Sequence, residues 1–401
     1  MRFVPLLLLT LLLLAGVFGF ARSVKPAALV SPPDIQLTPL RTISKLEARV
    51  LLRLSGIKGL PVAHAVDCYR MEYPGVGPKG EAVVLSGLLA LPSGAVARRL
   101  VSFQHGTSTT RSAVPSKPDG TGLAAAILFA GNGYALIAPD YPGMGSSPGH
   151  HPYYVAKAVG ASVVGMIQAA QRLPGIPNKP VFLSGFSEGG WASLVVLRML
   201  EARGTSVFGV ASVAGPLDVS GMQLSSAMRG GKSHALYLAY AAWGQAGYYG
   251  RRLDSVLTPE FATVVERLFD GAKPADILKA LPEQPRRLFG VDFLRAYDEG
   301  KTHWFSDGLA AANIVDLAPR APLRMYYGSK DIDVSPRDAI AAARRMAKKG
   351  LDVASVDVGP FGHNPSMLAA APFIVAWLAD LEGRASVGEQ QVPSPALTTE
   401  P

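Results

Sequence analysis

Cysteine and charged residues are both scarce in this chain of 401 residues. Its single cysteine, Cys68, excludes an intramolecular disulfide framework and a cysteine-based zinc site. Only 17% of the residues are charged whereas 49% are apolar, which excludes a disordered polyelectrolyte. The 42 glycines and 32 prolines follow no three-residue period, so a collagen-like fibre is excluded too. We therefore expect a globular protein that depends on packing for its stability.

The positive net charge of +9 is spread thinly along the sequence. Basic residues occur in isolated pairs such as Arg98-Arg99 and Lys348-Lys349, and no motif for binding DNA or RNA lies beside them. A basic solvated surface explains this charge better than nucleic-acid binding, so no nucleic-acid partner is expected. No metal is expected either, because the pair His150-His151 has no third ligand at metal-site spacing.

Residues 1–21 have the pattern of a secretory signal peptide. Arg2 precedes a leucine-rich apolar run, and the segment ends in Gly19-Phe20-Ala21, a small-residue cleavage pattern. Secretion or export to a periplasm is therefore predicted. The alternative is an uncleaved membrane anchor, because the apolar run from Phe3 to Phe20 just reaches the length that spans a bilayer.

Apolar runs of strand length alternate with helical patterns between residues 61 and 383, which we assign as the main domain. Residues 22–60 lead into it, and residues 384–401 are predicted to be a disordered tail. The predicted strands are 82–91, 100–104, 135–138, 181–183, 207–213, 323–327 and 353–358, and the predicted helices are 154–173, 188–203 and 336–349. Because most strands are followed by helices, the sequence predicts an α/β fold with a mostly parallel central sheet flanked by helices.

One connection is far longer than a strand crossover requires, since the strand at 207–213 is followed by the next only at 323–327. An inserted helical cap over 222–316 is predicted to fill this interval. Its stretch 234–243 is apolar on nearly every face, and a more charged helical stretch follows at 259–281.

Ser187 stands in the sequence Gly185-Phe186-Ser187-Glu188-Gly189, between a predicted buried strand and a predicted helix. This G-x-S-x-G pattern is typical of a nucleophile elbow, in which a sharp turn lifts the serine hydroxyl above the sheet. Glycine two residues before and after the serine lets the strand and the helix approach closely. The motif also occurs in ordinary turns, but its place between strand and helix predicts that Ser187 is a catalytic nucleophile.

A serine nucleophile needs a base that takes its proton and an acid that orients the base. Asp331 follows the strand at 323–327, and His363 follows the strand at 353–358. The chain order serine, aspartate, histidine is that of α/β-hydrolases, so Asp331 and His363 are predicted to complete a catalytic triad. Asp333 follows the same strand as Asp331 and remains the alternative acid.

Acyl transfer also needs hydrogen-bond donors for an oxyanion. The backbone N–H of Glu188, directly after the nucleophile, is predicted to be one donor. The loop after the strand at 100–104 is predicted to supply the second through Thr107, with Gly106 as the alternative. An ordinary strand-ending turn is the other interpretation of this loop.

The cap segment from His234 to Tyr249 carries aromatic side chains among alanine and leucine. An insertion at this point of the chain hangs over the carboxyl edge of the sheet, where the predicted triad converges. Tyr240 and Trp243 are therefore predicted to line a substrate-binding site, because an apolar roof excludes water and binds hydrocarbon. Plain packing between cap and sheet is the alternative.

Together these motifs resemble the α/β-hydrolase superfamily and, more narrowly, the secretory lipase family of yeasts with its bacterial relatives. The resemblance spans residues 62–383 and rests on the segments 104–107, 138–143, 149–153, 185–190, 214–218, 328–334 and 362–363. It implies hydrolysis of carboxylic esters, often with apolar acyl chains, through an acyl-enzyme and without a cofactor. The expected partner is a small-molecule ester or a lipid, with transient contact to a lipid surface.

Two departures separate this chain from its relatives. Many of them carry glutamine where Glu188 stands, and the disulfides of the fungal members are excluded by the single cysteine. The triad does not specify the leaving group, so a serine peptidase or amidase on the same fold is an alternative function. A non-catalytic binding protein with a hydrolase fold is the alternative outside enzymes.

Overall fold

The computed structural model describes residues 24–57, 59–77, 80–117, 121–269 and 274–390. The predicted signal peptide, residues 1–21, lies outside the described residues. Nine strands in the described ranges form a single sheet. In chain order they are β1 (Gln36–Ile43), β2 (Val66–Val76), β3 (Ala82–Pro92), β4 (Leu100–Gln104), β5 (Ala135–Pro139), β6 (Val181–Phe186), β7 (Val207–Val213), β8 (Leu323–Tyr327) and β9 (Val353–Asp357).

The strands lie side by side in the order β1-β2-β3-β5-β4-β6-β7-β8-β9. The first three pair antiparallel, and β5 pairs antiparallel with β3. Every other neighbouring pair is parallel, which confirms the predicted mostly parallel sheet. Because parallel strands have their carboxyl ends at the same edge, the loops after β4, β6, β8 and β9 meet at that edge.

Helices lie on both sides of this sheet and in one long insertion. In chain order they are α1 (Lys45–Leu54), α2 (Thr121–Phe129), α3 (Ala156–Gln171), α4 (Glu188–Ala202), α5 (Leu224–Met228), α6 (Lys232–Tyr249), α7 (Pro259–Leu268), α8 (Pro274–Ala280), α9 (Val291–Asp298), α10 (Trp304–Ala310), α11 (Pro336–Ala347) and α12 (His363–Gln390). Short 3₁₀ or π turns occur at Ala130–Asn132, Val219–Gln223, Leu253–Ser255 and Pro285–Leu288.

Two hydrophobic clusters fill the space between the sheet and its helices. One contains Val163 of α3, Leu194 of α4 and side chains of the insertion. The other contains Leu52 of α1 and Ile374 of α12. Strand β6 lies between them and is buried at every position, so its sequence is mostly apolar and does not alternate with exposed polar residues.

Helices α5 to α10 all lie between β7 and β8, in the interval where the sequence predicts a cap. Hydrogen bonds tie this cap to the rest of the protein, among them one at Trp191 and one at Tyr240. The indole N–H of Trp191 in α4 donates to the carbonyl of Ala312 at 2.8 Å. The hydroxyl of Tyr240 in α6 donates to the carbonyl of Ser108, in the loop after β4, at 2.9 Å.

The lead-in segment 22–60 contains regular structure that the sequence pattern does not predict. β1 is an edge strand in which only Ile43 is fully buried, so it lacks the alternation that marks a half-buried strand. α1 begins after Ser44, whose hydroxyl accepts a hydrogen bond from the N–H of Glu47. At the other end of the chain α12 continues to Gln390, so the predicted start of a disordered tail at 384 falls inside a helix.

Helix α12 is apolar and long enough, over His363–Ser386, to cross a membrane by length and composition alone. Its buried side chains, such as Ala370, Ile374 and Leu378, belong to a hydrophobic cluster against the sheet. One face of this helix therefore packs in the core.

The thiol of Cys68 provides a test of this packing. Cys68 lies in β2 with none of its surface exposed, and burial raises the pKa of the thiol to about 12. Because the thiolate is the reactive form, we expect no detectable alkylation by iodoacetamide at about pH 8 in the folded protein. Intact-mass spectrometry should show complete alkylation after unfolding in urea, and rapid alkylation before unfolding would contradict this burial.

Candidate active site

Ser187 occupies the sharp turn between β6 and α4. Its backbone angles are φ 56° and ψ −120°, a conformation that a residue with a side chain adopts only at an energetic cost. Such a turn lifts the hydroxyl above the carboxyl edge of the sheet, as in a nucleophile elbow. Only 7% of the surface of Ser187 is exposed, because the cap lies over this edge.

The two glycines of the motif are required by close backbone approach. A Cβ at Gly185 would lie 2.2 Å from the carbonyl oxygen of Gly189, and a Cβ at Gly189 would lie 1.9 Å from that of Gln104. Real Cβ atoms do not come that close to other heavy atoms, so only glycine fits at both positions. α4 therefore begins in contact with the end of β4, which brings the loop after β4 beside the nucleophile.

The structure brings the three predicted triad residues together. His363 Nε2 lies 2.7 Å from Ser187 Oγ, and His363 Nδ1 lies 2.7 Å from Asp331 Oδ2. The other carboxylate oxygen, Oδ1, accepts hydrogen bonds from the backbone N–H groups of Asp333 and Val334, both at 3.0 Å. Beside a carboxylate fixed in this way, His363 carries its proton on Nδ1 and presents the lone pair of Nε2 to the serine hydroxyl.

The alternative acid, Asp333, faces the cap. Its Oδ1 accepts a hydrogen bond from the hydroxyl of Ser233, near the start of α6, at 2.8 Å. Of the two carboxylates only that of Asp331 contacts His363, because Asp331 folds back over the N–H groups that follow it. The geometry therefore favours Asp331 as the acid.

Two segments near Ser187 are predicted to supply backbone N–H groups. Glu188 is the first residue of α4, where an N–H has no partner within the helix. Gly106, in the loop after β4, packs so closely on Phe186 that a Cβ would lie 2.9 Å from the ring. Thr107 follows it in the loop. Both Glu188 and Thr107 lie in the segments where oxyanion donors are needed. Their roles as donors stay predictions.

The side chain of Glu188 is completely buried and contacts a histidine. Glu188 Oε1 lies 2.7 Å from His151 Nε2, and His151 Nδ1 lies 3.1 Å from the carbonyl oxygen of Pro142. From the sequence alone His151 is considered only as a metal ligand, so this contact is missed. The signal that points to it is the segment 149–153, which is part of the resemblance to secretory lipases.

A small cavity of about 60 Å³ lies beside Ser187, between the sheet edge and the cap. Its lining is mostly apolar, with a few polar side chains at its rim. The residues lining it are Tyr153, Tyr154, Ser187, Pro216, Val219, Gln223, Leu224, Ala227, His234, Tyr237, Leu238, Ala241, Leu309, Asp333 and Val334. Burial raises the pKa of the Tyr237 phenol well above its usual value, so its hydroxyl stays protonated.

The predicted substrate contacts of Tyr240 and Trp243 need correction. Neither residue lines the cavity beside Ser187, and both line a separate depression with His150 and Phe269. The face of α6 that reaches the Ser187 cavity carries His234, Tyr237, Leu238 and Ala241, which follow helical spacing. Because α6 is apolar all round, its composition does not distinguish the two faces.

Metal ligation is a separate question for this site. No group of three His, Cys, Asp or Glu side chains suited to a metal ion occurs in the part of the chain that the structure describes. The side chains of Ser187, His363 and Asp331 are joined by hydrogen bonds, and that of Glu188 contacts His151.

The sequence matches no protein-family model, and no curated protein is similar to it at a significant level. Solved structures do share its fold. A protein from Legionella pneumophila, provisionally named a hydrolase, is 26% identical, with a TM-score of 0.81 over 90% of this chain and 98% of that one. The rice cell wall degrading esterase LipA from Xanthomonas oryzae is 22% identical, with a TM-score of 0.74 over 88% and 97% of the two chains. Candida antarctica lipase A is 13% identical, with a TM-score of 0.61 over 85% and 80%.

The chain therefore has the α/β-hydrolase fold, as its motifs predict. Its solved structural neighbours include an esterase and a lipase, and it resembles the secretory lipase family.

The geometry predicts unequal roles for the two aspartates after β8. Asp331→Asn removes the acceptor for the Nδ1 proton of His363, so covalent labelling of Ser187 by a fluorophosphonate should slow by about 10⁴-fold. Asp333→Asn should slow it by less than about tenfold, because Asp333 contacts the cap instead of the histidine. The labelling rates can be measured by mass spectrometry, and the reverse ranking of the two variants would assign the acid to Asp333.

Proposed function

We propose that this protein is an exported serine hydrolase that cleaves carboxylic esters, in the manner of an esterase or a lipase. The observation that carries the proposal is the hydrogen-bonded chain of Ser187, His363 and Asp331 at a strained turn, next to an apolar cavity. The three side chains contact one another in the order that acyl transfer needs.

In the proposed reaction Ser187 Oγ attacks the ester carbonyl carbon while His363 Nε2 takes the hydroxyl proton. The tetrahedral intermediate then expels the alcohol, which receives that proton from His363, and leaves an acyl group on Ser187. Water attacks the acyl-enzyme in the same way and releases the carboxylic acid. Asp331 keeps its negative charge throughout and stabilises the imidazolium of His363.

The negative oxygen of each tetrahedral intermediate needs donors that are already in place. We assign them to the N–H groups of Glu188 and Thr107. Support comes from the free N-terminus of α4 and from the close contact between α4 and the end of β4. Removing one such donor typically costs about 10²–10³ in kcat.

Ester substrates are favoured by the structural neighbours, since the esterase LipA and lipase A share the fold. A serine peptidase or amidase would use the same triad, and a binding protein would keep the fold without turnover. Export is proposed on the signal-peptide pattern of residues 1–21, with retention of this segment as a membrane anchor as the alternative.

With the cap in its present position, the small volume of the cavity beside Ser187 favours a substrate with a short acyl group. Its volume of about 60 Å³ is small beside the roughly 300–1,000 Å³ of pockets that hold drug-sized ligands. Longer acyl chains would require the cap to move. Leu238 and Ala241 of α6 form part of the wall that limits the length of the acyl group.

The activity itself is tested with paired substrates. We expect hydrolysis of p-nitrophenyl acetate by the wild-type protein and a loss of about 10⁶ in kcat for Ser187→Ala, with little change in stability. Acetyl p-nitroanilide should be cleaved far more slowly than the ester. Preference for the anilide would establish an amidase, and equal ester hydrolysis by Ser187→Ala would contradict the proposed nucleophile.

The size of the acyl group is tested by widening the cavity. Leu238→Ala should raise the ratio of kcat/KM for p-nitrophenyl octanoate over acetate by about tenfold, because it removes buried side-chain volume from the cavity wall. Trp243→Ala is the matched control on another face of α6 and should leave this ratio unchanged. A larger change in this ratio for Trp243→Ala than for Leu238→Ala would show that the acyl group binds at Trp243.

A further inference from the structure

A short loop lies behind both predicted oxyanion donors. This donor-holding loop, residues 149–154, contacts the side chain of each donor residue. His151 Nε2 lies 2.7 Å from Glu188 Oε1, and the Tyr153 hydroxyl lies 2.7 Å from Thr107 Oγ1. One loop therefore touches the N-terminus of α4 through His151 and the loop after β4 through Tyr153.

We propose that His151 and Tyr153 are positioning residues that hold Glu188 and Thr107 at the spacing that the oxyanion requires. This inference rests on the proposed function. It assigns a role to the segment 149–153, which the triad and the cavity leave largely unexplained, although Tyr153 also lines the cavity.

The donor-holding loop is itself fixed from several sides. The His151 ring stacks on Tyr141 at a centroid distance of 5.5 Å, and the Tyr153 ring packs on Tyr240 of the cap at 4.9 Å. Gly244 of α6 lies so close that a Cβ there would be 2.5 Å from the carbonyl oxygen of His151. Because these contacts fix the loop, His151 and Tyr153 in turn restrict the positions of Glu188 and Thr107.

The contact with Glu188 also controls charge beside the nucleophile. A buried, unpaired carboxylate next to Ser187 would oppose the negative charge of the tetrahedral intermediate. His151 Nδ1 faces the carbonyl oxygen of Pro142 and therefore carries a proton. Nε2 and Oε1 both bear lone pairs, so their 2.7 Å contact requires a second proton between them.

With that proton shared, the pair has no net charge whichever partner holds it. His105 is another buried histidine that packs on Tyr141, and its ring stacks there at 4.3 Å. Burial lowers the pKa of His105, so this ring does not supply the compensating positive charge. His151 is the side chain in direct contact with Glu188, and it is therefore the group that neutralises the carboxylate.

A rescue experiment separates this role from simple packing. His151→Phe keeps an aromatic ring but leaves the Glu188 carboxylate unpaired, so kcat for p-nitrophenyl acetate should fall by about 10²-fold with KM within about threefold of wild type. Adding Glu188→Gln to His151→Phe removes the charge and should recover at least about tenfold of the lost kcat. Glu188→Gln alone should cost less than about tenfold, because the amide N–H can donate to His151 Nε2.

A purely structural role for His151 predicts the opposite outcome. The double variant would then be no faster than His151→Phe, because removing the carboxylate would not repair the packing. That result would overturn the proposal for His151.

The contact between Tyr153 and Thr107 is tested by a double-mutant cycle. Tyr153→Phe and Thr107→Val should each lower kcat by about tenfold, and the double variant should be no slower than the slower single variant. Thr107→Ser keeps the hydroxyl and should lose less than Thr107→Val. Additive losses in the cycle would contradict the contact as the source of the effect.

Tyr73→Phe is the matched control for losing a buried phenol. The Tyr73 hydroxyl donates to the carbonyl of Ser162 at 3.1 Å, in the packing of β2 against α3. This variant should lower the urea midpoint while its kcat stays at the wild-type value. Loss of kcat in Tyr73→Phe equal to that in Tyr153→Phe would overturn the proposed role of Tyr153.

Labelling by a fluorophosphonate separates the proposed hydrolase activity from the proposed positioning roles. The phosphoryl oxygen of the probe occupies the same site as the oxyanion of the tetrahedral intermediate. Labelling of the wild-type protein, with slower labelling of His151→Phe and Tyr153→Phe, supports both the hydrolase activity and the positioning roles. Equal labelling rates in wild type and variants would overturn the positioning roles and leave the proposed hydrolase in place. A wild-type protein that is neither labelled nor active on esters would overturn the proposed function together with this inference.

Discussion

The close contact between the start of α4 and the end of β4 is the constraint on which the site depends. At Gly189 the helix backbone lies so near the Gln104 carbonyl that no side chain fits. The same approach forces Ser187 into its strained turn and brings the loop that carries Thr107 next to it. Ser187, the predicted nucleophile, and both predicted oxyanion donors are therefore arranged around one backbone contact, whose cost is offset by the packing of β6 and α4 in the core.

The parallel sheet supplies the rest of the geometry. β8 and β9 end at the same edge as β6, so Asp331 and His363 reach Ser187 although they are far from it in the sequence. The cap then closes that edge and leaves a small apolar cavity at the hydroxyl. Rigid strands thus set the distances among Ser187, His363 and Asp331, and the inserted helices set the size of the cavity beside Ser187.

Sequence reasoning succeeds where a pattern has one structural meaning. The buried strands, the elbow at Ser187 and the chain order with Asp331 and His363 follow from such patterns, as does the α/β-hydrolase fold. The prediction for α6 is wrong because this helix is apolar all round. Its composition does not distinguish the face with Tyr240 and Trp243 from the face with Tyr237 and Leu238. It also misses contacts between distant segments, such as that of His151 with Glu188, because no local period encodes them.

The proposed function depends on the formation of an acyl-enzyme at Ser187. Rapid-quench mass spectrometry during turnover of p-nitrophenyl acetate measures this directly, because deacylation can be stopped by acid before the intermediate decays. We expect an acetyl group on the peptide that contains Ser187, formed at the rate of the nitrophenol burst. Turnover with the acetyl group on another residue, or with no covalent intermediate on any peptide, would contradict it.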